Sequence, residues 1–137
     1  MQKFFERIRD ERADIETLQM RIKALQLSLL PSGIRYDTDR VQTSPTDKMV
    51  EVASKVDALE RKMKAKLTAL NADMVKGISI VQAMPTPQYR QLITLYYLTS
   101  TKTSWDDVAA IMGYSTDHVK GYMKNKAFAE ARNVNTQ

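Results

Sequence analysis

Ten apolar residues, Met49, Val52, Val56, Leu59, Met63, Leu67, Leu70, Met74, Ile78 and Val81, recur about every 3.6 positions without a break. One continuous helix carries such a stripe, and at a rise of 1.5 Å per residue it runs on the order of 55 Å. Residues 3–30 carry a second stripe: Ile8, Ile15, Ile22 and Leu29 are seven apart, with Phe4, Leu18 and Leu25 at the alternate seam positions. That helix runs roughly 40 Å. Both stripes are longer than a small core can cover, so they must pair with each other or with another chain. Glu11 falls on the seam, either at a solvated end or setting register against a basic partner. Gly77 weakens the second helix by about 1 kcal/mol relative to alanine and is expected to mark a bend before Pro85.

Between the stripes, Pro31 to Pro45 holds Pro, Gly, Asp, Thr and Ser without a period, long for a turn and therefore a mobile segment or a contact surface. Asp37 and Asp39 there are read as loop solvation in preference to a cation site. Ser44 or Asp47 can cap the second helix, with Pro45 or Lys48 in its first turn. Lys62, Lys64 and Lys66 form a charge run on it, read as a solvated face before an auxiliary DNA or partner contact. From Thr86 the grain changes, with most of the tyrosines, the only tryptophan and three short helical segments. Thr86 caps and Pro87 opens the first of these, with Tyr89, Leu92, Ile93 and Tyr96 on one face. The predicted organisation is all-α: long helical hairpin or coiled-coil arms over 1–84 with the loop 31–45, a small C-terminal helix-turn-helix domain over 85–131, and a tail, 132–137.

Composition removes most chemistry. No Cys and a single His exclude a thiol nucleophile, a disulfide framework and a conventional zinc site. No two of the four glycines stand at phosphate-loop or dinucleotide-fold spacing. Neither an enzyme nor a cofactor is expected. Charge interrupts the first 30 residues every few positions, so neither a signal peptide nor a membrane span is expected, and the predicted location is the cytoplasm. The net charge of +5 allows a nucleic-acid partner without requiring one.

The C-terminal stretch supplies the motif. Counting from Trp105 as the first position of a helix-turn-helix, Ala109 is fifth, Gly113 ninth and Val119 fifteenth, with Val108, Met112 and Tyr122 at apolar core positions. A small fifth residue lets two helices approach, and a ninth glycine takes the left-handed conformation that the turn requires. Ser104 and Asp107 have the spacing of a capping box, and Ser115 can cap the next helix, which runs from Thr116 towards Phe128. The candidate DNA contacts are Ser115, Thr116, Asp117, His118, Lys120, Gly121, Lys124 and Lys126. Lys120 can reach a base edge, whereas Lys124 and Lys126 lie nearer phosphates. His118 is equally readable as a solvated residue, and Asp117 as a complement to the helix dipole.

The run Ser104-Trp105-Asp106-Asp107-Val108-Ala109-Ala110-Ile111-Met112-Gly113-Tyr114-Ser115 resembles the C-terminal promoter-reading region of sigma-seventy-type factors. Tyr36-Asp37-Thr38-Asp39-Arg40-Val41-Gln42-Thr43-Ser44-Pro45, followed by a long amphipathic helix and Tyr89-Arg90-Gln91-Leu92 leading into that run, resembles phage late-gene transcriptional regulators of the RinA and ArpU kind. The resemblance covers residues 5 to 128 and implies an activator of packaging and structural genes. Lys120-Gly121 and scattered lysines stand where sigma factors are rich in arginine. The implied partners are double-stranded DNA, further copies of the chain as a dimer or higher oligomer, and host RNA polymerase. The alternatives are a small terminase-like DNA-packaging subunit, which usually places its DNA-reading unit first, and a helical interaction protein that binds no DNA.

Overall fold

The computed structural model describes residues 1–30 and 45–136, so the expectations for the loop, its Asp37 and Asp39 and the motif through Ser44 lie outside the described residues. Every regular element among the described residues is helical: α1 (Gln2–Leu27), α2 (Pro45–Ala83), α3 (Pro87–Ile93), a π-turn (Thr94–Leu98), α4 (Trp105–Met112), a second π-turn (His118–Met123) and α5 (Lys124–Asn135). None of these helices is long and apolar enough to cross a membrane.

The contacts divide the chain into two compact units, one of residues 14–67 and one of residues 1–13 with 68–137. The division does not fall at the change of composition near residue 85, because both long helices lend their ends to the second unit. In the first unit, α1 and α2 run antiparallel as a hairpin. Ile15, Leu18, Ile22 and Val52 are buried along its seam, and Lys66, one of the charge run, meets Asp14 at 3.2 Å. Val56, Leu59 and Met63 are only half-buried, and Met20, Leu27, Met49 and Val50 are exposed.

The second unit is built on aromatic contacts. Phe5, Tyr97 and Phe128 lie mutually within 5.5–6.1 Å between ring centroids, and Met84, Leu92, Ile93, Val108 and Val119 complete a core with almost no exposure. Burial lifts the Tyr97 hydroxyl well above the usual phenol range. The heptad period places Phe4 in the seam, but Phe5 is the buried ring and Phe4 is half-exposed under the Lys76 ammonium. Residues 1–13 face a multi-helix core here, not a single partner helix, and Phe5 joins Ile8 of the stripe on the buried face.

Gly77 stands within helix α2, which continues past it to Ala83. A Cβ there would lie 3.0 Å from Ile8 Cδ1, 3.4 Å from the Phe5 ring and 3.6 Å from Leu98, so the residue permits close packing of α1 on α2. Two arginines of α1 then satisfy carbonyls at the end of the α3 segment. Arg12 Nη2 donates to Leu98 O at 2.8 Å, and Arg9 Nη2 donates to Thr101 O and Thr103 O at 3.0 and 2.7 Å. The Arg9 guanidinium also lies 3.8 Å from the centroid of Tyr96, which stacks on Trp105 at 3.8 Å. Glu11 is only 17% exposed, and Arg7 of its own helix lies 3.7 Å from its carboxylate. Arg7 also pairs with Asp73 at 3.0 and 3.1 Å, and this hydrogen-bonded pair draws the Asp73 carboxyl below its ordinary range.

The two π-turns change which residues reach the core. Helical spacing predicted Tyr96 and Tyr122 on buried faces, but Tyr97 is 2% exposed beside a half-exposed Tyr96, and Met123 is buried beside a Tyr122 that is 57% exposed. In each case the buried residue is one position later. An i→i+5 turn is wider than an α-turn and holds an extra residue, so residues four apart stay on one face for longer. Val119, Met123, Ala127 and Ala131 accordingly form one buried row.

Candidate nucleic-acid interface

The unit around Trp105 assembles through local rules. Ser104 Oγ accepts from Asp107 N at 3.1 Å while the Asp107 carboxylate accepts from Ser104 N at 3.0 Å, the reciprocal pair anticipated for a capping box. That backbone hydrogen bond lowers the Asp107 carboxyl below its ordinary range. Helix α4 ends at Gly113, whose φ of 82° is the left-handed value. There Tyr114 N donates to Ala109 O at 3.1 Å and closes the turn. Val108, Ala109 and Val119 are buried. Met112 is half-buried. Ser115 Oγ accepts from His118 N at 3.2 Å, so the second helix is capped where expected. Thr86 makes no side-chain cap on α3. Its hydroxyl donates to the Glu130 carboxylate at 2.6 Å, so a carboxylate from α5 sits at the start of α3.

The second helix presents three rows to its outer side at i, i+4 spacing. In the first, His118 stacks on Tyr122 with centroids 5.3 Å apart, Tyr114 in the turn before the helix lies tilted against His118 at 5.4 Å, and the Lys126 ammonium lies 5.6 Å from the Tyr122 centroid. The second holds Asp117, Gly121 and Asn125. The third holds Thr116, Lys120 and Lys124 along α4: Thr116 Oγ1 donates to Asp106 Oδ1 at 2.8 Å, and Lys124 Nζ lies 5.8 Å from the Trp105 centroid.

Thr116 and Lys124 are therefore engaged with α4, while Ser115, Asp117, His118, Lys120 and Lys126 are exposed and Gly121 is half-exposed. Sequence reasoning passed over Tyr114, Tyr122 and Asn125. The i, i+4, i+8 spacing of Tyr114, His118 and Tyr122 was there to be seen, but assigning Tyr122 to the core hid it. Tyr114 is 41% exposed, and large rings with a polar tip at such positions are typical of binding surfaces. Among the described residues no cluster of His, Cys, Asp or Glu could hold a metal ion. No protein-family model matches the chain, and no curated protein or solved structure matches it either.

Proposed function

We propose that this chain is a sequence-specific DNA-binding transcriptional regulator, and in particular a phage or prophage activator of late genes that encode packaging and structural proteins. The observation that carries the DNA-binding reading is the unit 104–123. There a capped two-turn helix, a left-handed glycine at the ninth position and a second helix with an outward face of lysines and stacked rings occur together. A second helix of this kind fits the major groove with its first turns towards base edges. The late-gene assignment rests on the resemblance to the RinA and ArpU regulators. A dimer or higher oligomer fits the apolar side chains that stay exposed on the hairpin, Met20, Leu27, Met49 and Val50. RNA polymerase is the proposed partner of an activator of this class.

The test is anisotropy of a labelled duplex across a salt series, with duplexes enriched from a random pool by the protein itself. The expected result is a recurrent motif bound at least about a thousandfold more tightly than scrambled DNA, with an affinity that falls as salt rises. No binding at low salt would refute the reading. Sedimentation at micromolar concentration tests the oligomer, and a monomer would refute that part alone.

A further inference from the structure

Gly121 lies in the π-turn His118–Met123, where no atom of its own chain needs the room that a side chain would take. It sits mid-helix with an ordinary φ, since Gly113 is the one described glycine in the left-handed region. A Cβ built on it meets no atom within 4 Å, whereas one on Gly77 would crowd Ile8. Glycine costs a helix stability relative to alanine, and neither a left-handed φ nor a crowding neighbour accounts for it at 121. Close approach of another molecule's surface does account for it.

The neighbours of Gly121 identify that surface. Its row begins with Asp117, which repels phosphate but accepts from the cytosine amino group, and continues to the exposed Asn125, whose amide matches the donor and acceptor on the adenine major-groove edge. Positive charge lies in the two flanking rows, at Lys120 on one side and Lys126 on the other. A row with an acid and an amide between two rows bearing lysines complements base edges between two phosphate backbones. We propose that a base pair seats against Gly121 and that Asn125 is the adenine-reading residue beside it, with Lys120 and Lys126 holding phosphates. This rests on the DNA-binding reading and reassigns Lys120 from base edge to backbone.

The experiment compares wild type, Gly121→Ala and Asn125→Ala on the enriched duplex and on a scrambled one, with thermal melts of each protein. Gly121→Ala is expected to melt above wild type yet bind the enriched duplex about tenfold or more weakly. Asn125→Ala is expected to keep its affinity for scrambled DNA and to lose about tenfold on the enriched duplex. Replacing one adenine of the motif by 7-deazaadenine should weaken wild type by a similar factor and leave Asn125→Ala unchanged. Unchanged binding by Gly121→Ala overturns the proposal. So does a lower melting point in that variant, because glycine would then serve the π-turn. Equal loss on both duplexes for Asn125→Ala overturns the adenine assignment. If wild type enriches no duplex, the DNA-binding reading fails first and this inference falls with it.

Discussion

Residues 14–67 bury Ile15, Leu18, Ile22 and Val52 along one seam between two helices, whereas residues 1–13 with 68–137 bury three mutually contacting aromatic rings among five helices. In the hairpin each apolar side chain has one partner helix and water at its flanks. In the multi-helix unit a ring such as Phe128 touches others on several sides, and arginines from α1 occupy carbonyls that would otherwise be left without donors. Local stability follows the density of such contacts, so the hairpin is expected to open at lower free energy than the unit that carries the candidate interface. A scaffold that positions side chains for binding gains from that rigidity, and a surface awaiting a partner does not need it.

The largest expected effect comes from removing a shared ring. Phe128→Ala should cost about 3–5 kcal/mol, because deletion of a buried aromatic leaves a cavity that several helices cannot close together. Leu18→Ala in the hairpin should cost about 2–3 kcal/mol, near the low end for leucine, since two helices can move together to fill the gap. Denaturant unfolding gives the two costs, and hydrogen exchange should confine the Leu18→Ala effect to residues 14–67. Equal costs, or exchange spreading through α3–α5, would break the contrast.

Gly77→Val sharpens it. The added methyls would enter the space held by Ile8 and Phe5, so a cost of about 1–3 kcal/mol is expected. The hairpin part of α2, residues 45–67, contains no glycine, and its helices need no such approach. Thermal melts of Gly77→Val check this, and an unchanged midpoint would mean that the Ile8 side chain simply turns aside.

The smallest expected effect is electrostatic. Because Arg7 holds the folded Asp73 carboxyl below its unfolded value, the stabilisation is complete above the ordinary carboxylate range, about 4, and is lost as pH falls through the lowered value. Arg7 is 58% exposed, so the contribution is small and salt should weaken it. Asp73→Asn should flatten the fall in melting temperature below about pH 4 and leave the midpoint at pH 7 nearly unchanged. An acid profile identical to wild type would remove the pair from the account.

Much of the candidate site was legible because its parts are neighbours in sequence. The Ser104 and Asp107 cap, the left-handed Gly113 and the Ser115 cap are set by hydrogen bonds that span three to five residues, and residue type alone specifies them. The helical class and the two apolar stripes follow equally from local period. The face of each helix that is buried was not legible wherever an i→i+5 turn intervened, so Tyr97 replaced Tyr96, Met123 replaced Tyr122, and the exposed row Tyr114–His118–Tyr122 went unseen. Residue type does not announce a π-turn, because the same residues can also close an ordinary α-turn, and the packing around it selects between them.

Sequence by itself therefore determined the helical class, the caps at Ser104 and Ser115, and the chemistry that one histidine and no cysteine leave open. Tertiary structure decided the purpose of Gly77, the burial of Phe5 in place of Phe4, and the carbonyls that Arg9 and Arg12 satisfy. The physical reason is distance along the chain. The first set depends on groups a few residues apart, whose geometry a helix imposes, while Arg9 and Thr103 are 94 positions apart and meet only when several helices have already packed.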